Sequence, residues 1–157
     1  MENVAILWDI ENVNPGKESL YIDGLIEFAE SQGRIVTARA YADWTKSVIS
    51  RRLAENLVKR YFYLVHIPQT NKKNSSDIGL ITDALELLRL YTHIDTFILV
   101  TGDSDFRFLL ISLRGAGKSI KVICNTAIAS DEVGLSFTPN LSNKGLYWPN
   151  SGPNLYR

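Results

Sequence analysis

The sequence predicts an α/β protein, a three-layer α/β/α sandwich built on a central parallel sheet, and three observations carry that prediction. Short apolar runs rich in branched residues alternate with amphipathic stretches almost from the first residue. Polar loops containing Gly, Pro, Asn or Ser separate them. The amphipathic stretches are long enough to be crossovers, which join parallel strands in the right-handed sense. With 157 residues, 45% hydrophobic and 22% charged, the chain is large enough for one real core and small for two. Residues 1–157 are therefore taken as a single domain, with a core over about 3–137 and a polar C-terminal tail over 138–157.

The elements follow in order. Asn3 to Trp8 is an apolar run that ends in the polar loop Glu11 to Glu18, the pattern of a buried strand. Ser19 is suited to cap a helix with Ile22, Leu25, Ile26 and Ala29 on one face, and Gly33 ends it. Arg34 to Ala42 is the second strand. Thr45 is expected to open a helix bearing Ile49, Leu53 and Leu57, and Tyr61 to Ile67 to form a third strand before Pro68. After the polar loop Gln69 to Ser76, Ser75 or Ser76 caps a helix whose expected stripe is Ile78, Ile81, Leu85 and Leu88. Thr96 to Val100 is a central strand. Thr101-Gly102 breaks it, and Phe106, Leu109, Leu110 and Leu113 mark a helix stopped by Gly115 and Gly117. Ser119 to Cys124 is the fifth strand. Asp131 to Phe137 is expected as a short helix, and the Asn-, Ser-, Gly- and Pro-rich remainder as a closing tail.

Composition narrows the function classes. No apolar stretch approaches the roughly 20 residues a membrane span needs. The first residues, with Glu2 and Trp8-Asp9, do not read as a signal peptide, so a cytoplasmic location is expected. A single cysteine, Cys124, excludes an internal disulfide and a cysteine-rich metal site. Seventeen basic and seventeen acidic residues cancel, which argues against an all-over basic coat but not against a local basic rim beside a local acidic centre.

In open parallel sheets ligands sit beyond the carboxyl ends of the strands. Asp9 directly follows the first strand, Asp103 follows the fourth across Thr101-Gly102, Asp105 falls in the first turn of the next helix, and Asp77 begins the helix after the third strand. Any one of them has a plainer use as a helix cap, turn former or helix-dipole partner. Together, if the first and fourth strands are neighbours, they converge. Converging carboxylates raise each other's pKa, a conflict that a hard divalent cation such as Mg²⁺ or Mn²⁺ relieves through oxygen ligands. His66 lies within a predicted strand and His93 in a connection, so zinc is not indicated.

Three segments resemble the signatures of a known family: Trp8-Asp9-Ile10-Glu11-Asn12, Ser76-Asp77-Ile78-Gly79-Leu80 with Asp83-Ala84, and Thr101-Gly102-Asp103-Ser104-Asp105-Phe106. In this order and spacing, over roughly Asn3 to Cys124, they are similar to the NYN domain, a branch of the PIN-like nuclease superfamily. The resemblance implies a parallel sheet ordered 3-2-1-4-5 and a Mg²⁺ or Mn²⁺ site at Asp9, Asp77, Asp103 and Asp105. It further implies hydrolysis of RNA to 5′-phosphate and 3′-hydroxyl ends. Asn12, Thr101, Ser104 and Lys73 are the expected supporting residues, with Lys73 matching a basic residue that precedes the second motif. The late Ala-Asp pair of many relatives is absent: Leu135 to Leu141 occupies that segment, and no acid follows Glu132.

Lys72, Lys73, Arg39 and Arg107 are the expected contacts to substrate, with Lys46, Arg51 and Arg52 as further candidates for a phosphate-guiding rim. Each has a solvated helix face as its plainer use. Tyr41 and Trp44 suit base stacking or, more simply, packing. Asp83, six positions after Asp77, turns away from it on a regular helix and is assigned a solvent or support role; Glu11 is expected to point away from the centre. The partner implied is single-stranded or structured RNA. A homodimer through Tyr61-Phe62-Tyr63 is left open, since a buried strand explains that run equally well. The rival of a different class is an RNA-binding adaptor that keeps the acids without turnover. A phosphotransferase using Asp9 as nucleophile lacks its Asp-x-Asp-x-Thr pattern, because position 11 is Glu and position 13 is Val. Neither a Gly-x-Gly-x-x-Gly turn nor a P-loop is present.

Overall fold

The computed structural model describes residues 1–15, 19–69, 75–101, 106–123, 140–142 and 145–147, with backbone alone for 75, 76, 140–142 and 145–147. Five strands, β1 (Asn3–Asp9), β2 (Arg34–Ala42), β3 (Tyr63–His66), β4 (Thr96–Val100) and β5 (Ser119–Ile123), form an all-parallel sheet in the order β3-β2-β1-β4-β5. Helices α1 (Ser19–Gln32), α2 (Arg51–Lys59), α3 (Ser75–Leu90) and α4 (Arg107–Gly115) are the crossovers. Among the described residues a short antiparallel pair, β6 (Asn140–Ser142) and β7 (Gly145–Tyr147), occupies part of the expected tail. The expected helix at 131–137 lies outside the described residues, as does Cys124 at the end of the expected fifth strand. No helix among the described residues is long and apolar enough to cross a membrane.

The pleat of the sheet sorts the side chains into two cores. Val4, Ile6 and Trp8 of β1 and Ala38, Ala40 and Ala42 of β2 pack with Ile22, Leu25, Leu53 and Leu57 under α1 and α2. Ala5, Leu7 and Tyr41 instead join Leu80, Ala84, Leu87, Leu109, Leu110 and Leu113 under α3 and α4. The alternation is the period of two that a strand imposes. Each large apolar side chain so buried contributes on the order of 1.5–3 kcal/mol. Trp8 anchors the first core, its ring 5.3 Å from Tyr21 and 6.0 Å from Phe62 between centroids, and its indole N–H donates to Val13 O at 2.8 Å. At the end of α1, Gly33 is needed for close approach: a Cβ there would sit 2.2 Å from the backbone oxygen of Glu2, which accepts the Arg34 N–H.

Three elements depart from expectation for local reasons. The second helix starts at Arg51, not Thr45. Asp43 Oδ1 accepts both the backbone N–H and the hydroxyl of Thr45, which folds 43–46 into a turn, and Ser50 Oγ caps the helix by accepting Leu53 N–H at 3.0 Å. The third strand starts at Tyr63 because Tyr61 and Phe62 finish α2. Tyr61 N–H donates to Val58 O, Phe62 N–H to Leu57 O, and Tyr61 takes the left-handed φ of 65°, a Schellman ending with tyrosine where glycine is usual. On α3 the buried face is Asp77, Leu80, Ala84 and Leu87, while Ile78 and Leu85 are 63% and 41% exposed. The expected stripe is thus rotated by part of a turn, and a carboxylate sits on the face turned inward.

Candidate acidic site

β1 leaves the sheet at Asp9, which is only 2% exposed. Trp8 enters the first core, so by alternation Asp9 falls on the α3–α4 side with Ala5 and Leu7. The turn after it is held by main-chain bonds: Ile10 N–H to Tyr41 O at 3.2 Å and Val13 N–H to Asp9 O at 3.0 Å. Asn12 is half-buried within that turn. Asp77, 7% exposed, lies in the first turn of α3, where the helix dipole favours negative charge. Leu80, one turn further on, packs in one cluster with Leu7 and Phe106. Both acids therefore belong to the carboxyl edge of the sheet and to the same face of it.

Thr101, also buried, closes β4 and donates its N–H to Ile123 O at 2.9 Å. Trp8 pairs with Val100, so Asp9 and Thr101 stand one residue past a shared register position on neighbouring strands. Asp103, Ser104 and Asp105 come next in the chain and lie outside the described residues, between buried Thr101 and buried Phe106. Lys72 and Lys73 also lie outside them, between Gln69 and α3. Arg107 is exposed at the start of α4.

Arg39 stands apart from this edge. It pairs with Leu7 in β1 and Tyr63 in β3, and its guanidinium nitrogen Nη1 donates to both oxygens of Asp83, at 3.0 and 2.9 Å. The Tyr41 hydroxyl donates to the same carboxylate in a short contact. Burial, then Asp83, pushes the Tyr41 hydroxyl far above its ordinary pKa, so it remains a proton donor throughout the working pH range. Tyr41 is fully buried and cannot stack on a base; Trp44 is half-buried, its indole N–H held by Val65 O at 3.0 Å.

A second carboxylate network ties the ends of β1, β2 and β3 together. Asp43 Oδ2 accepts Gln69 N–H at 2.9 Å, Glu11 Oε1 accepts Asp43 N–H at 3.2 Å, and Glu11 Oε2 accepts the Gln69 side-chain amide. The Thr45 hydroxyl, followed by the Gln69 N–H, lowers the Asp43 pKa to about 2. Glu11 thus braces the loops. Asp43 directly follows β2, as Asp9 directly follows the apolar run Asn3 to Trp8, and that placement was the available signal for it.

Chemically, the described part offers three nearly buried carboxylates, Asp9, Asp43 and Asp77; Asp43 is taken up by Thr45 and Gln69, which leaves Asp9 and Asp77, from different elements, as the candidates. Their burial disfavours the charged form unless positive charge is near, and their hard oxygens fit Mg²⁺ or Mn²⁺, which take few protein ligands. Among the described residues no group of three or more His, Cys, Asp or Glu could hold a metal; two of the four expected ligands lie beyond them.

The 3-2-1-4-5 parallel sheet between helical layers, with acids at its carboxyl edge, is the α/β architecture expected and is consistent with a PIN-like fold. Residues 3–136 match the family model of the NYN domain, and the chain belongs to that family, within the PIN-like nuclease superfamily. No curated protein matches the chain. Among solved structures it is similar to a protein of unknown function from Vibrio parahaemolyticus, with TM-score 0.70 and 22% identity over 93% of this chain and 96% of that one. That likeness shows the fold.

Proposed function

We propose that the chain is a metal-dependent ribonuclease that cuts RNA internally. The observation that carries this reading is the pair of nearly buried carboxylates, Asp9 and Asp77, at the carboxyl edge of a sheet in a chain of the NYN family. Asp9, Asp77, Asp103 and Asp105 would hold Mg²⁺ or Mn²⁺; when bound, such a cation offsets phosphodiester charge and makes water more acidic. Asn12, Thr101 and Ser104 support that centre, and Lys72, Lys73 and Arg107 meet the phosphate backbone. Hydrolysis forms a bond from water oxygen to phosphorus and breaks the bond from phosphorus to the 3′ oxygen, leaving 5′-phosphate and 3′-hydroxyl ends.

The test is cleavage of a labelled circular single-stranded RNA with Mn²⁺, Mg²⁺ or EDTA, beside Asp9→Asn and Asp103→Asn. Linearisation that needs the cation and is lost in both variants is the expected result. Cutting that survives EDTA or either substitution overturns the assignment. RNA retained without any cutting moves the reading to an adaptor.

A further inference from the structure

Asp83 is a half-buried acid on α3, six residues after Asp77, that the ribonuclease reading leaves unused. Its carboxylate receives three hydrogen bonds from β2: two from Arg39 Nη1, at 3.0 and 2.9 Å, and one from the Tyr41 hydroxyl. Arg39 is steadied in turn by Thr37 Oγ1 at 3.3 Å from its Nε. Residues 37, 39 and 41 are alternate positions of one strand, so the cluster runs along one face of β2 and grips α3 from below.

The grip reaches the acidic edge by two routes. Tyr41 is the register partner of Asp9, and its carbonyl accepts the Ile10 N–H, so one residue joins Asp83 to the exit of β1. Along α3, Asp77 lies about 9 Å from Asp83 at 1.5 Å per residue of rigid helix. Between them Gly79 packs against Ile67, one residue past β3, where a Cβ would fall 2.2 Å from Ile67 Cδ1. Close packing at Gly79 and the hydrogen bonds at Asp83 thus tie α3 to the strands at two points beside its first turn. The donors around Asp83 also speak against a place in the cation site, because its oxygens already accept a guanidinium and a phenol.

We propose that Asp83, with Arg39 and Tyr41, is a positioning cluster that sets Asp77 against Asp9, rather than a set of residues touching cation or RNA. This rests on the metal-site reading above and reassigns Arg39 from phosphate contact to strut.

The test uses the full chain with Tyr41→Phe, Asp83→Asn and the double variant. Mn²⁺ affinity is measured by calorimetry, and backbone hydrogen exchange of α3 is followed in EDTA. Removing a direct partner of a ligand weakens metal binding by about 10–100-fold, and a strut that acts through the helix is expected to reach the lower end of that range. Tyr41→Phe is expected to show that weakening although it removes no carboxylate. The double variant is expected to be no worse than Asp83→Asn, and both single variants to exchange the amides from Gly79 to Asp83, which donate to the carbonyls of the first turn of α3, faster while β4 is unchanged. Loss of affinity in Asp83→Asn with Tyr41→Phe like the wild type makes Asp83 a direct ligand and overturns the proposal. Lower thermal stability with unchanged affinity makes the cluster merely structural, and also overturns it. A wild type that binds no Mn²⁺ sinks the metal-site reading itself. In that case α3 exchange still decides whether the cluster holds the helix, and unchanged exchange overturns it.

Discussion

The two faces of the sheet are built to different rules. Under α1 and α2 the strands contribute Val4, Ile6, Trp8 and the alanines of β2, and the described core there is apolar. Under α3 and α4 the same strands contribute Asp9, Arg39 and Tyr41 among their apolar neighbours, met by Asp77 and Asp83 from α3. Strand parity alone makes the division, since a slip of one residue would send Asp9 into the tryptophan layer. The first face supplies stability and the second holds the polar groups in register. Substitutions on the two faces should therefore fail in different currencies: folding on one, cleavage and metal binding on the other.

The largest effect belongs to Trp8→Ala. The ring is fully buried against Tyr21 and Phe62, so truncation should cost about 3–5 kcal/mol, read by denaturant unfolding of the purified chain. A loss below about 1 kcal/mol would mean that the apolar face is not the foundation described. One residue along the strand, Asp9→Asn should behave in the opposite way. Cleavage is expected to fall by about 100-fold or more, since even outer partners of a metal ligand are worth ~10–100-fold. The unfolding midpoint in EDTA should hold, because the amide keeps the shape and volume of the carboxylate. A clear loss of stability in EDTA would make Asp9 a structural acid and erase the contrast.

A smaller effect tests the carboxylate brace at the strand ends. The folded-state pKa of Asp43 is about 2, below its ordinary 3.8, because Thr45 and Gln69 donate to the charged form. The stability this provides is fully present above pH 3.8 and is lost as pH falls towards 2. Asp43→Ala should flatten that part of the stability curve in acid titrations followed by circular dichroism. An unchanged acid limb in the variant would show that the brace does not couple to folding.

Much of this division was legible in the sequence, and the exceptions have physical causes. β4 falls where expected because apolar periodicity is a local signal, and α1 begins at Ser19 itself, the residue expected to cap it from one position before. The strand order came from resemblance, since periodicity says nothing about which strands are neighbours; the structure has that order. The buried stripe of α3 was misplaced because Ile78 and Leu85 satisfy a helical period while pointing outward, and Asp77 takes an inward position that a hydrophobic pattern assigns to an apolar residue. Between the solvent and support roles open to Asp83, its contacts fit support, but its partners Arg39 and Tyr41 lie over 40 positions away and only the register of β2 reveals them. Asp103, Asp105, Ser104, Lys72 and Lys73 lie outside the described residues.

The smallest effect lies at the opposite end of the sheet, where Tyr61 closes α2. Its left-handed φ of 65° strains a side-chain-bearing residue, and at 90% exposure the ring gains little packing in return. Glycine at this position removes the Cβ conflict but adds freedom to the unfolded chain, so the net gain expected from Tyr61→Gly is only about 0.5–1 kcal/mol. The Schellman bonds to Val58 and Leu57 are made by main-chain atoms and survive the change. Cleavage should be unaltered, because Tyr61 is remote from the carboxyl edge where Asp9 and Asp77 stand. A stabilised variant with unchanged cleavage places the functional demands on the one edge. A stabilised variant that cuts or binds RNA poorly would show instead that the exposed ring is kept for contact with substrate, and the division of labour would have to extend to the far end of the sheet.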